Sequence, residues 1–300
     1  MINITVIIPT YNRAGMLKEA LDSIRLQDID KEEIEIIVID DNSTEDYNWI
    51  RELFPEVYYY KNTENRGPIY ARKFGFQLAK GKYISFFDDD DFLIDSSFFS
   101  KAINIMEKKN NITFVSGNAF EYEHLTKKKK ENNILDFIGE VDYKKYFSFF
   151  QFKYKKPYST FTTVFRKKSL VDAQIMNSNA INDSSIYLRA LTQGNPFFIK
   201  EFVGCYRIHE NNISNRIDHR FLLNNIIEKY EIGKIFKFSS KRESSQWFFK
   251  QFKLTMDYFV YLSHPLKEEI EYIFNYIKKL EGKLSIKYKL LLVKYKFHIH

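Results

Sequence analysis

The sequence predicts an α/β fold, a mostly parallel central sheet flanked by helices, followed by a helical C-terminal region. Short apolar runs of strand length recur at Ile4 to Ile8, Ile34 to Ile39, Val57 to Tyr60 and Tyr83 to Phe87. Stretches with helical spacing separate them, and strands alternating with helices build parallel sheets covered on both faces. Beyond His209 strand-like runs give way to helical text rich in Phe, Tyr and Lys.

The first run ends at Pro9 and passes through Thr10-Tyr11-Asn12-Arg13 into a helix with Leu17, Ala20, Leu21 and Ile24 on one face. The second ends at Asp40-Asp41-Asn42-Ser43-Thr44, where Ser or Thr suits the cap of a helix through Trp49 to Phe54. Pro68 to Lys80 reads as a helix with proline in its first turn and Gly81 as its stop. After the fourth run come Asp88 to Asp91, a helix over Ser97 to Lys108 and a strand over Thr113 to Tyr122. The alternation then loosens. Lys127 to Lys130 reads as an exposed hairpin tip or loop, and Tyr158 to Phe165 and Pro196 to Ile208 as strands flanking a helix over Asp183 to Leu191. Pro265 and Gly282 break the C-terminal helices.

With 300 residues, 44% hydrophobic and 17% aromatic, the chain can bury one large core or two modest ones, which excludes a disordered class. Cys205 is the lone cysteine, so an internal disulfide framework and a cysteine-rich zinc site are excluded; it is expected as a buried packing residue. No charged-then-apolar leader precedes the first strand, and no apolar stretch approaches the roughly 20 residues of a spanning helix. The expectation is a cytoplasmic, non-spanning protein. Of the net charge of +7, the stretch from Tyr276 onward holds +6, with seven lysines against Glu281 alone. A basic excess confined to a tail, without aromatics interleaved over a groove, speaks against nucleic acid as partner.

Chemistry is expected at Asp88 to Asp91. A buried strand delivers these carboxylates to the sheet edge, where open α/β sheets bind ligands, and clustered carboxylates repel unless a cation neutralises them. A hard divalent metal satisfies that need, since Mg²⁺ or Mn²⁺ binds through one or two carboxylates with substrate phosphates completing the shell. The same run also suits a solvated turn capping the helix that starts near Ser96.

Five pieces taken together carry a resemblance: VIIPTYNR at Val6 to Arg13, VIDDNST at Val38 to Thr44, NRGPIYARKFGFQLAKGKYISFFDDDD at Asn65 to Asp91, NDSSIYLR at Asn182 to Arg189 and YRIHENNIS at Tyr206 to Ser214. In order and spacing they resemble the inverting glycosyltransferases of family 2, with the GT-A fold. The resemblance is strong over Ile4 to Asp91, weaker to Ser214 and absent from the C-terminal helices. It implies a GT-A catalytic domain over residues 1–214, with a nucleotide-binding half to about residue 91 and an acceptor-side half beyond, and a helical region over 215–300.

The resemblance implies a UDP-sugar donor and assigns roles. Asp41 would accept a hydrogen bond from the uracil imide, with Pro9 and Tyr11 as the wall of the base site and Arg13 among the donor-binding residues. Tyr11 also suits a packed loop aromatic, and Asp41 a turn residue bonding its own backbone. The Asp-x-Asp of the family falls on Asp88-Asp89-Asp90, with Asp90 as direct ligand of Mn²⁺ or Mg²⁺ and Asp88 or Asp89 facing the ribose or a metal-bound water. Arg72 could add a cation near the phosphates or stay a surface arginine. His209 would reach the metal or the diphosphate. Asp183 occupies the position of the base that deprotonates the acceptor hydroxyl, and it equally suits a plain helix N-cap. Many members carry Glu before this Asp, where this chain has Asn182.

The implied acceptor is a saccharide or lipid-linked saccharide of surface polysaccharide, lipopolysaccharide or glycolipid synthesis. Ile277, Leu280, Leu284, Leu291 and Tyr295 fall near one helical stripe with lysines around it, so 276–297 reads as a basic amphipathic segment for an anionic membrane surface. A helix docked on the catalytic domain with its lysines in water gives the same pattern. Two other functions compete. A nucleotidyltransferase would want an early Gly-rich phosphate loop, which Pro9 to Arg13 lacks; a non-catalytic GT-A-fold sugar-binding or assembly subunit would have no need of Asp41, Asp90, Asp183 and His209 together.

Overall fold

The computed structural model describes residues 2–132, 134–209, 219–263 and 265–297. The chain divides into two compact units, residues 1–209 and 210–300. The boundary expected after Ser214 lies outside the described residues, as do Asn211, Asn212 and Ser214 of the YRIHENNIS stretch.

In chain order the first unit contains β1 (Ile4–Thr10), α1 (Ala14–Arg25), β2 (Ile34–Asp40), α2 (Trp49–Leu53), β3 (Val57–Lys61), α3 (Gly67–Leu78), β4 (Tyr83–Phe86) and β5 (Phe92–Leu93). It continues with α4 (Phe98–Lys108), β6 (Ile112–Glu123), β7 (Lys129–Glu131), β8 (Gly139–Glu140), α5 (Tyr143–Phe149), β9 (Thr163–Arg166), α6 (Lys167–Asp172), α7 (Asp183–Leu191) and β10 (Asn195–Ile208). One sheet runs in the order β3-β2-β1-β4-β9-β6-β10-β5. Its first four strands are mutually parallel, β9 is antiparallel to both β4 and β6, and β10 returns parallel to β6.

The parallel half forms around β1, β2 and β4, which are buried on both faces, with the half-exposed β3 at its edge. Ile4, Val6, Ile7 and Ile8 of β1 are all fully buried, and each such side chain contributes about 1.5–3 kcal/mol relative to exposure. Helix α1 buries Leu17, Ala20, Leu21 and Ile24, the face its spacing predicts. Helix α3 lies close on β1 because Gly75 has no side chain: a Cβ there would fall 2.4 Å from Ile7 Cγ2.

Several local expectations are corrected. Gly81 does not stop α3, whose C-cap is Ala79. It lets the chain pass over β1 instead, since a Cβ would meet the Thr5 amide nitrogen at 2.5 Å. Ser43 and Thr44 do not cap α2; Asn48 precedes it without a side-chain cap bond. Over Tyr158 to Phe165 only the end is strand: Thr160–Thr162 is a 3₁₀ turn, and β9 begins at Thr163. The lysine run 127–130 is a hairpin, with β7 paired antiparallel to β6, and Cys205 is buried.

The second unit contains α8 (His219–Ile235), α9 (Lys241–Ser263), α10 (Lys267–Glu281) and α11 (Ile286–Phe297). Gly282 closes α10 at φ 75°, a left-handed position that suits glycine. The Ile277, Leu291 and Tyr295 stripe faces inward, with Ile277 and Tyr295 at 0% and 1% exposure. No helix among the described residues is long and apolar enough to cross a membrane.

Candidate active site

Parallel strands present their carboxyl ends on one rim, so the loops after β1, β2 and β4 meet although they lie far apart in sequence. Asn12 and Asn42 turn the first two loops at φ 52° and 67°, a left-handed region that asparagine tolerates. The loops are laced together. Asn12 Oδ1 accepts the Thr44 N–H at 2.8 Å, and the Asn12 N–H donates to Ser43 Oγ at 2.9 Å. Pro9 pairs in register with Ile39, and Tyr11, 46% exposed, stands at the rim.

Asp41 is nearly buried, and its carboxylate accepts the Arg66 and Gly67 N–H groups at 2.8 and 2.6 Å and the Asn62 side-chain amide at 2.9 Å. These bonds reach a distant loop rather than its own turn. They hold the N-terminus of α3, where unpaired amides and the helix dipole favour a negative group.

In the acidic run each carboxylate has separate surroundings. Asp88 accepts from Arg72 Nη2 at 2.5 Å and Ser159 Oγ at 3.0 Å. Asp89 accepts from Thr10 Oγ1 at 2.7 Å and Arg13 Nη1 at 2.9 Å. Asp90 Oδ2 meets Arg13 Nη1 at 2.7 Å and His209 Nε2 at 2.9 Å. Asp91 Oδ1 accepts the Arg207 N–H at 2.9 Å, while its Oδ2 is buried without a hydrogen-bond partner. None of them caps α4, whose N-cap is Ser97.

Crowding four carboxylates in a buried loop perturbs their protonation. Burial, reinforced by the Asp90 charge, pushes Asp89 up to about 7. Burial likewise raises Asp88, against the pull of Arg72. At Asp90 burial is outweighed by the His209 bond and the Arg13 charge, which hold the carboxyl below its ordinary value.

Asp90 and His209 therefore offer one ionised carboxylate and one imidazole at a shared point, with side chains only 9% and 8% exposed. Among the described residues no three His, Cys, Asp or Glu side chains gather as a metal cage. A two-residue donor set fits a divalent ion that takes its remaining oxygens from a bound diphosphate, and the imidazole favours Mn²⁺ over Mg²⁺.

Asp183 opens α7 but does not cap it. Asn182 is the N-cap, accepting from the Ser185 N–H in a reciprocal capping box. The Asp183 carboxylate, a quarter exposed, faces Lys156 Nζ at 3.4 Å. Lys156 is itself held by the Pro157 and Tyr158 carbonyls at 3.0 and 2.8 Å. Arg72 ties this side to the acidic run: Nη1 donates to the Ile181 carbonyl at 3.2 Å while Nη2 holds Asp88. It is buried, not a surface arginine. Arg72 and Asp88 both lie within electrostatic reach of Asp183. Arg189 lies apart, donating to the Ala173 and Gln174 carbonyls.

Sequence reasoning passed over Tyr47, Lys156, Ser159 and Arg207. Tyr47 Oη accepts the Arg13 N–H at 2.9 Å and bonds Thr10 Oγ1 at 3.2 Å. Arg207 is fully buried: Nε donates to the Asp90 carbonyl at 2.7 Å, Nη2 to Glu19 Oε2 at 2.6 Å, and Nη1 lies 2.9 Å from His124 Nδ1. Its guanidinium also sits 5.2 and 5.3 Å from the Phe92 and Tyr122 ring centres. It thereby fixes the back of the acidic loop, two residues from His209. Its place inside YRIHENNIS was the one available signal.

The family model described as Glycosyl transferase family 2 matches residues 5–173. The chain belongs to glycosyl transferase family 2. Among its curated relatives, this family 2 chain is 29% identical over 215 residues to the Campylobacter jejuni GalNAc(5)-diNAcBac-PP-undecaprenol beta-1,3-glucosyltransferase, covering 69% of the chain and 65% of that protein. It is 34% identical over 134 residues to the Bacillus subtilis minor teichoic acid biosynthesis protein GgaB, covering 43% of the chain and 15% of that protein. The chain thus spans under two thirds of the length of either.

Among solved structures, Staphylococcus aureus TarS 1–349 in complex with UDP-GlcNAc superposes with a TM-score of 0.75 at 16% identity, over 99% of this chain and 88% of that one. The mannosyltransferase PcManGT from Pyrobaculum calidifontis, in complex with GDP-Man and Mn²⁺, gives a TM-score of 0.53 at 13% identity, over 99% and 85%. At such identities the likeness speaks for the fold, which is GT-A.

Proposed function

We propose that the protein is a metal-dependent inverting glycosyltransferase. It moves a sugar from a UDP-sugar to a hydroxyl of a saccharide or lipid-linked saccharide acceptor in surface polysaccharide or glycolipid synthesis. It works at the cytoplasmic membrane face, with peripheral contact through 276–297. The observation that carries this is the bridging of two rims by Arg72, which links the acidic run to the segment leading into α7, while Asp90 of that run meets both Arg13 and His209. Asp183 stands within electrostatic reach of Arg72 and Asp88, which supports a base next to the donor-side cations and acids.

Pro9, Tyr11 and Asp41 form the uracil end, where the exposed Tyr11 ring stacks on the base face. Arg13 and Arg72 place positive charge toward the diphosphate, and Asp88 and Asp89 orient those arginines. Asp90 and His209 would hold a divalent ion, whose chemistry there would be positive charge for the departing nucleoside diphosphate. Asp183 takes the proton from the acceptor hydroxyl on the face opposite the leaving group, as inversion requires. Support for the donor comes from the TarS complex with UDP-GlcNAc, and for the acceptor from the undecaprenol-linked and teichoic acid names of the relatives.

A panel of nucleotide sugars with Mn²⁺, scored for released nucleoside diphosphate, identifies the donor. With that donor, Asp183→Asn is expected to lower transfer by about 10²–10⁴-fold with UDP-sugar affinity nearly intact. Transfer at the wild-type rate would remove Asp183 as the base.

A further inference from the structure

Helix α11 turns two different apolar faces in two directions. Tyr288, Leu291 and Tyr295 pack inward: the Tyr288 ring meets Phe249 and Phe252 at 5.0 and 5.2 Å, and the Tyr295 hydroxyl donates to Asp257 at 2.7 Å. The stripe expected to meet a membrane is therefore occupied within its own unit. On the other face Ile286, Leu290, Val293 and Phe297 are 74%, 66%, 51% and 70% exposed. At roughly 100° per residue these four fall within an arc of about 60°.

Lysines border that arc on both sides. Lys287 and Lys294 lie on one flank and Lys289 and Lys296 on the other, each roughly 60–100° from its centre. The helix contains no acidic residue. Lys294 reaches Asp257 at 3.7 Å and Lys296 pairs with Glu271, which holds both on their flanks. An apolar stripe between two rows of cations matches a lipid interface, where the stripe enters the acyl boundary and lysine stems bend up to anionic headgroups.

We propose that the Ile286, Leu290, Val293 and Phe297 face of α11 seats an anionic phospholipid surface, with Lys287 and Lys289 as its headgroup contacts. This rests on the peripheral-membrane part of the functional reading and names the face that does it. A second copy of the chain fits less well, because a two-fold pairing of this helix would bring lysine rows together with no acids to meet them.

The test uses the full chain and the exposed-face variant Leu290→Ser/Val293→Ser, co-sedimented with phosphatidylcholine vesicles with and without roughly 30% phosphatidylglycerol. Wild type is expected to sediment with the anionic vesicles and to release as salt rises toward about 0.5 M. The variant is expected to lose about tenfold or more in vesicle partition, with circular dichroism and donor hydrolysis unchanged. Wild type that stays in the supernatant overturns the membrane reading and this inference with it, while leaving glycosyl transfer standing on the hydrolysis assay. Wild type that sediments together with an equally bound variant overturns the assigned face alone. A variant that loses self-association in sedimentation velocity, with vesicle binding intact, assigns the face to a second copy and likewise overturns the proposal.

Discussion

In the first unit Arg13, Arg72 and Arg207 lie buried or nearly so against Asp89 and Asp90, Asp88 and Glu19. In the second the buried Lys229 donates to Thr255 Oγ1 at 2.7 Å and, among the described residues, forms no ion pair. A guanidinium cannot discharge in a protein, so its burial calls for acids, as around these three, or for carbonyls, as at Arg189. An ammonium can, and burial lowers Lys229 to about 8. The comparison separates two solutions to one cost. Fixed charge arranged in a network belongs where the network converges on something, here Asp90 and His209; a charge that can leave belongs to packing.

Breaking the network at its back should give the largest effect. Arg207→Met keeps the volume and removes the partner of Glu19, His124 and the Asp90 carbonyl. Glu19 is half-exposed and returns to water, so the cost is that of the buried Asp90 carbonyl and the part-buried His124 left without their charged donor, about 3 kcal/mol, and the denaturant midpoint should fall sharply at unchanged m-value. A loss below about 1 kcal/mol, the range of ordinary surface changes, would show that Arg207 merely fills space.

Asp90→Asn should separate function from stability. The substitution gives up charge-assisted bonds to Arg13 and His209 but relieves repulsion in the run, so unfolding free energy should stay within about 1 kcal/mol of wild type. Calorimetric UDP binding with Mn²⁺ should nevertheless weaken roughly a hundredfold, about 3 kcal/mol, and the difference should vanish in excess chelator. Unchanged binding in Mn²⁺ would free Asp90 of its assigned role.

How much of this was legible follows the range of the interactions. The parallel half could be read because its signals are local: apolar runs such as 4–8 and 34–39, each followed by polar loop residues at one rim. The motif residues Asp41, Asp90, Asp183 and His209 stood out for the same reason. What failed was set at a distance. Gly81 reads as a helix stop until β1 is seen passing beneath it, and Thr160–Thr162 reads as strand until Ser159 is seen turning toward Asp88. Lys156 sits in a run of lysines whose text marks none of them, and only the fold puts it beside Asp183. The tail stripe was readable as amphipathic but not as inward-facing, because periodicity gives a face and not its neighbour.

The smallest expected effect tests the other side of the comparison. Below a pH of about 8 the folded and unfolded chains both hold the Lys229 proton, and the folded one bears the cost of a buried cation. Between about 8 and the ordinary value of 10.5 the folded chain has released that proton while the unfolded chain keeps it. Unfolding then takes up a proton, so this group's contribution to stability rises with pH across that window, by about 3 kcal/mol in all. Lys229→Met should remove the rise: the variant should be the more stable protein at neutral pH, by about 1–2 kcal/mol, and lose its lead as the solution becomes alkaline. Chemical denaturation of both proteins at a series of pH values reads the difference directly and cancels the titration of every other group they share. Parallel stability curves would mean that Lys229 keeps its proton in the folded chain, and the second unit would then hold a charge network of its own.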